Sequence, residues 1–318
     1  MANTIFTKLI KKGFLLFILA VCCQLEVQAT HVAAADIKMD YIGTGPTDLR
    51  YTVTLTVYKA CEPNNSDLSS QERVYFYSSC YTGPQLSVLL PMTTGPDTLD
   101  QLCDNKKDSN SCRYPQSIYP GFERRVYTGE FTLPVACVDW IVNWSLCCRN
   151  QNIINLNGPG GYETYVEAGI NNVANPIGST PRFTIEPIPY ICANQQDIFL
   201  NGPADPDNDS LFTANAEPWD DQNVSVPYAP PYTNANPFNS ANGYTVDPNT
   251  GTAMFTPTTI AKYVMAFTVN SYEKGTGVYL GHARRDVQVS VLYCVAGPPA
   301  IDPPSNVSGG GLKGTSVV

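Results

Sequence analysis

Apolar and polar residues along this chain alternate with a period of two, and helical spacing is hard to find. In "RYTVTLTVYKAC", Tyr51, Val53, Leu55 and Val57 fall on one face, with Thr52, Thr54, Thr56 and Tyr58 on the other. β-Branched and aromatic residues fill both faces, which is the composition of a half-buried strand. "RVYFYSS", "QLSVLLPM", "RRVYTGEFTLP", "DWIVNWSLCC" and "YETYVEAGI" repeat the pattern. Between them lie turn formers such as "EPNNSD", "TTGPD" and "NLNGPGG". Many short strands joined by such turns predict an all-β protein built of antiparallel sandwiches.

The pattern divides the chain. Residues 1–29 carry Lys8, Lys11 and Lys12, then the apolar run "GFLLFILAVCC", then the small residues of "VQA". That order is an export signal, cleaved after Ala29. Val21, bulky just before Cys22, argues against a lipoprotein box. Residues 30–186 form the first expected sandwich, rich in cysteine. Near "TIEPIPYICANQ", Pro187 and Pro189 break the alternation, and a second unit of 187–296 follows. It holds the turn "DPNTG" between "GYTV" and "TAMFTP", then the strands "KYVMAFTVNSYEKG" and "RRDVQVSVLYC". Its size and strand number fit an immunoglobulin-like or cadherin-like sandwich. Residues 297–318 are Pro-rich, then Gly-rich: a linker, or the start of a further domain. No run after the signal is long and apolar enough for a membrane helix.

Charge and cysteine usage narrow the compartment and the partners. The chain carries a net charge of −9, which becomes −11 once Lys8, Lys11, Lys12 and Glu26 leave with the signal. Nucleic acid and anionic lipid are poor partners for such a surface. Nine cysteines remain: Cys61, Cys80, Cys103, Cys112, Cys137, Cys147, Cys148, Cys192 and Cys294. In an exported chain they read as a disulfide framework, with one thiol left over. Cys103 and Cys112 bracket the short polar loop "DNKKDSNS", and Cys192 and Cys294 flank the second unit, so each pair is expected to bond. The adjacent Cys147 and Cys148 leave three readings open: two separate anchors, a vicinal disulfide, or half of a metal or redox site. Stapling is preferred, with Arg149 and Asn150 as a polar strand exit. With no CxxC after the signal, and only His31 and His282 for imidazole, a zinc cluster is disfavoured.

The acidic loop "ADPDNDSL" is the leading chemical candidate. Asp205, Asp207 and Asp209 alternate, a spacing that can aim several carboxylates at one calcium ion. In cadherin-like folds, which the second unit resembles, an analogous Asp loop binds calcium together with an acid near the domain entrance, and that resemblance makes Asp197, Asp220 and Asp221 candidate helpers. The competing reading is an Asp/Pro-rich solvated turn. No GxSxG or HExxH occurs, and no catalytic residues are assigned. "VPYAPPYTNANPF" could offer Tyr228 and Tyr232 as sugar platforms, or be a surface loop packed by its own tyrosines.

"ATHVAAADIKMDYIG", "YTVTLTVYKAC", "FTLPVACVDWIVNWSLCCRN", "PIPYICANQ", "DPDNDSL", "VDPNTGTAMFTP" and "RRDVQVSVLYC" follow one another over nearly the whole mature chain. In that order they resemble the N-terminal region of large secreted surface proteins of Bacteroidota. Such chains often continue into PKD or other sandwich repeats and a gliding-motility-associated C-terminal sorting domain; this sequence departs from them in showing no sorting domain. The resemblance implies a non-catalytic, adhesin-like role outside the cell, with other surface proteins, glycans or downstream domains as partners. The alternatives are a carbohydrate-binding module and, third, a secreted hydrolase.

Overall fold

The computed structural model describes residues 31–62, 66–99, 109–187 and 190–294. The expected export signal, the tail from residue 297 and Cys103 lie outside the described residues. Among those described there is no α-helix, and the expected strands form. They are β1 (Val32–Tyr41), β2 (Arg50–Ala60), β3 (Gln71–Tyr77), β4 (Leu86–Thr98), β5 (Phe122–Thr132), β6 (Trp140–Cys147), β7 (Glu163–Ile170) and β8 (Arg182–Phe183). Beyond Pro187 come β9 (Tyr190–Cys192), β10 (Asp197–Phe199), β11 (Pro203–Ala204), β12 (Ser210–Ala216), β13 (Trp219–Asp221) and β14 (Val224–Ser225). The last four are β15 (Tyr244–Val246), β16 (Ala253–Phe255), β17 (Lys262–Tyr272) and β18 (Tyr279–Leu292).

The alternation read in β2 holds through Val57, with Tyr51, Val53, Leu55 and Val57 fully buried, and breaks at Tyr58, which is buried as well. β2 pairs with β1 on one side and along its whole length with β5 on the other. β4 is a corner strand. Its Leu86–Pro91 half pairs with β3, and Met92 to Thr98 pairs with β5 through two irregularities. Gly95 sits there at φ +100, where an added Cβ would lie 2.4 Å from the Arg124 carbonyl oxygen, so only glycine lets the strands approach. Beyond β3 the order runs β6, β7, β18, β17, β12. Phe76 of β3 stacks on Phe131 of β5 at 3.9 Å, so the two halves of the path face each other across a common interior.

β18 is the opposite corner. Along one edge it pairs with β17, and along the other with β7 at Gly281–Ala283, β1 at Arg285–Val287, and β9, in parallel, at Ser290–Leu292. The path from β1 round to β7 therefore returns to β1 through β18. Buried apolar side chains from Val32 to Val291 form one continuous cluster. Sheet and core thus run through both sides of the boundary expected near Pro187. Past that point a small sheet, β10-β16-β15, packs over β17, with Phe199 stacked on Phe267 at 5.7 Å.

Candidate functional site

The loop between β11 and β12 brings the three expected carboxylates together, with ligand oxygens of Asp205, Asp207 and Asp209 all within 4.8 Å of one another. Asp205 organises it: its Oδ1 accepts the amides of Asp207 (2.8 Å) and Asp209 (3.2 Å), and Asn208 takes the left-handed conformation at φ 63. Asp207 Oδ2 accepts the Ser179 amide at 2.7 Å. Asp205 Oδ2 is buried and has no hydrogen-bond partner. Burial, and then the charge of neighbouring carboxylates, pushes the Asp207 and Asp209 carboxyls above their ordinary values, with the Ser179 amide opposing at Asp207. This is a site short of positive charge. The expected helpers Asp197, Asp220 and Asp221 are not in the cluster. Asp197 lies in β10, Asp220 accepts the Glu163 amide, and Asp221 accepts the amide of Gln222.

Eight cysteines pair as Cys61–Cys112, Cys80–Cys137, Cys147–Cys148 and Cys192–Cys294. The expected Cys103–Cys112 bridge is corrected. Ala60 pairs with Phe122 at the end of the β2–β5 ladder, and the Cys61 amide continues it to the Gly121 carbonyl. Cys112 lies against Gly121, where an added Cβ would stand 2.6 Å from its sulfur. The ladder, not the short loop, chooses the partner. Glu123 approaches this bridge as a third ligand type, but the two sulfurs are bonded to each other and are not thiolates. Cys80 and Cys137 meet because Tyr77 pairs with Ile141 and both cysteines flank that end of β3 and β6.

The vicinal bridge resolves the three readings of "CCRN", and the residues after it are not a polar exit. Arg149 and Asn150 are 2% and 0% exposed. Arg149 holds Asp286 of β18 through both carboxylate oxygens and donates to the Trp219 carbonyl. Asn150 donates to Glu62, which also accepts His31 Nδ1 at 3.0 Å and Lys262 Nζ. Burial alone would raise the Glu62 carboxyl, yet those bonds hold it down at about 2. Sequence reading missed both clusters, because polar residues at strand ends read as solvated.

A second arrangement went unread. On the side of β7 and β18 away from the main apolar cluster, where Tyr165 and Glu167 are both buried, Tyr165 donates to Glu167 Oε2 (2.7 Å), and His282 Nε2 lies 3.0 Å from Glu167 Oε1. The other ring nitrogen, Nδ1, is 2.6 Å from the Tyr279 hydroxyl. Burial works against the ionised Glu167, but the His282 contact wins and its carboxyl lies below the ordinary value. The signal available was a second glutamate of β7, Glu167, set between Val166 and Ala168.

Tyr228 and Tyr232 form no platform. Tyr228 packs against a small cluster of Ile153, Leu156, Val226 and Val264, and Tyr232 meets the Tyr263 ring edge-on at 5.8 Å. Comparison with protein-family models, curated proteins and solved structures gives no match for this chain.

Proposed function

We propose that this is a non-catalytic structural or adhesin-like protein, exported to the cell surface or beyond. The observation that carries the reading is the four disulfide pairs, which persist in oxidising compartments and are rare in reducing ones. The acidic net charge, −9 for the whole chain and −11 without residues 1–29, suits protein or glycan partners rather than nucleic acid. Both histidines are engaged with glutamates that cross-link strands, a structural use of imidazole that favours a scaffold over a hydrolase. A division into two sandwich units, 30–186 and 187–296, belongs to this reading, with β18 shared between them. So does calcium at Asp205, Asp207 and Asp209, supported by their convergence and by the partnerless Asp205 oxygen.

The test is protease treatment of intact native cells expressing an internally tagged chain, with and without residues 1–29. The tag should be lost to protease in the full chain and protected in the truncated one. A full-length chain protected inside the cell, with its cysteines open to alkylation, would overturn the reading. A carbohydrate-binding module is the second reading, and Tyr228 and Tyr232 do not carry it.

A further inference from the structure

Glu62 is the meeting point of two groups that can react with each other. Its Oε1 accepts Lys262 Nζ and, at 3.1 Å, Asn150 Nδ2, so an amine and a carboxamide stand on one oxygen atom. The backbone fixes both. Ile153 bridges Lys262 at the start of β17, the Ile154 amide donates to the Lys262 carbonyl, and the Ile153 amide closes the turn to the Asn150 carbonyl.

An ion pair needs only Lys262 and Glu62. Asn150 adds the parts of an acyl transfer. Its Oδ1 accepts the Asn152 amide at 2.9 Å, which polarises the side-chain carbonyl and faces the charge that develops on that oxygen under attack. Its Nδ2, the leaving nitrogen, rests on both oxygens of Glu62 at 3.1 and 3.2 Å. Asn150 is fully buried, whereas the Lys262 and Glu62 side chains are 23% and 22% exposed. Water is thus kept from the carbonyl carbon, while ammonia released there has a way out.

We propose that Lys262 and Asn150 join in an intramolecular amide cross-link, formed once in the folded chain and without a cofactor. Glu62, a carboxylate at neutral pH, takes a proton from the Lys262 ammonium. The freed amine attacks Asn150 Cγ, one bond beyond Nδ2. Glu62 passes a proton to Nδ2 as the Cγ–Nδ2 bond breaks, and the new Nζ–Cγ bond keeps one hydrogen on nitrogen. Ammonia leaves, and in neutral solution it carries off the second lysine proton as ammonium. No electron changes hands. Holding amine, proton carrier and amide together in one fold replaces a chance encounter, and a slow aminolysis needs to occur only once. The cross-link ties the segment after the double cysteine to β17, a staple that reductants do not open. It goes beyond the surface-protein reading and does not depend on it.

Intact mass spectrometry of the full exported chain, reduced and alkylated, tests it. The mass should lie about 17 Da below that of the alkylated sequence, the loss of one ammonia to an amine nucleophile. Trypsin should leave Lys262 uncut, in a branched peptide that also contains Asn150. Lys262→Arg keeps a cation for Glu62 but no attacking amine, and Glu62→Gln keeps amine and amide but no proton carrier. Both should retain the full mass, with the Cys61–Cys112 and Cys192–Cys294 peptides of unreduced samples as the check on folding. A folded unmodified chain at full mass, with Lys262 cleaved by trypsin, overturns the inference. So does an ammonia loss that persists in Lys262→Arg, which is a succinimide elsewhere, as at the exposed Asn157–Gly158. Equal cross-linking in Glu62→Gln overturns the part given to Glu62. A surface-exposed protein at full mass sinks this inference alone, whereas a cross-linked one retained inside the cell sinks the surface reading alone.

Discussion

Arg149 and Asp286, 137 residues apart, form a bidentate ion pair with both nitrogen–oxygen distances at 2.8 Å and side chains 2% and 4% exposed. The pair joins the loop after β6 to β18, so the segment after the double cysteine is anchored to the strand that closes the sheet. Removing one partner leaves an uncompensated buried charge, which costs about 3–5 kcal/mol, whereas an apolar pair of similar volume can be close to neutral. We therefore expect Asp286→Ala to lower unfolding free energy by that amount in urea titrations. Arg149→Met with Asp286→Leu should recover most of the loss. A loss under about 1 kcal/mol for Asp286→Ala would place the pair among solvated ones.

Glu62 gives a pH signature. Its folded carboxyl lies at about 2, below an ordinary value near 4.5, so the folded state binds its proton less readily than the unfolded chain does. The contribution is fully present above the unfolded value and is lost as pH falls from there through about 2. At neutral pH it amounts to about 3 kcal/mol at most, and nearer 2 after solvent screening of a partly exposed group. Glu62→Gln should flatten the fall in stability between pH 5 and 3, read by chemical denaturation at stepped pH. Parallel curves for variant and unmodified protein would remove Glu62 as the cause.

The four disulfides should contribute unequally. Cys192–Cys294 spans 102 residues and Cys147–Cys148 spans 1. In the chain-entropy account a loop of about 100 residues is worth about 4–5 kcal/mol, and the adjacent pair closes no loop of consequence. Cys192→Ser with Cys294→Ser should therefore lower the melting temperature by about 10 °C, at roughly 2 °C per kcal/mol for a chain of this size. Cys147→Ser with Cys148→Ser should move it by a few degrees. Peptide mapping without reductant should recover Cys61–Cys112 and no Cys103–Cys112 peptide.

Local patterning was legible because it depends on side chains within one strand. Tyr51 to Val57 show it, and so does the "DPNTG" turn, which joins β15 to β16 as read. What the sequence concealed was long-range pairing. β18 reads as the last strand of a second unit, and nothing local says that its other edge meets β1 and β7. The same limit misassigned Cys112, whose partner is set by the β2–β5 ladder 51 residues away. It also hid Arg149, Asn150 and Glu167, because a charged or amide residue reveals burial only once its partner is known. The Asp205 loop was readable since all three carboxylates sit within five residues.

That loop supports the last expectation. Burial and mutual repulsion raise the Asp207 and Asp209 carboxyls, so the folded state takes up their protons more readily than the unfolded chain. At neutral pH without a cation the ionised cluster therefore costs stability, and acidification through the raised values relieves the cost. Asp205→Asn with Asp207→Asn removes two of the three charges, while the amide oxygens can still accept the Asp207, Asp209 and Ser179 N–H groups. In chelator the double variant should melt above the unmodified chain. A bound calcium ion reverses the order, since a ligand at a hundredfold excess over Kd stabilises by about 2.7 kcal/mol. Millimolar calcium should thus raise the melting temperature of the unmodified chain by several degrees and leave the double variant unmoved. Magnesium should do less, because it demands a tighter octahedral shell than a flexible loop of carboxylates provides. An unmodified chain whose melting curve ignores calcium, with the double variant still the more stable, would make the loop a strained turn without an ion.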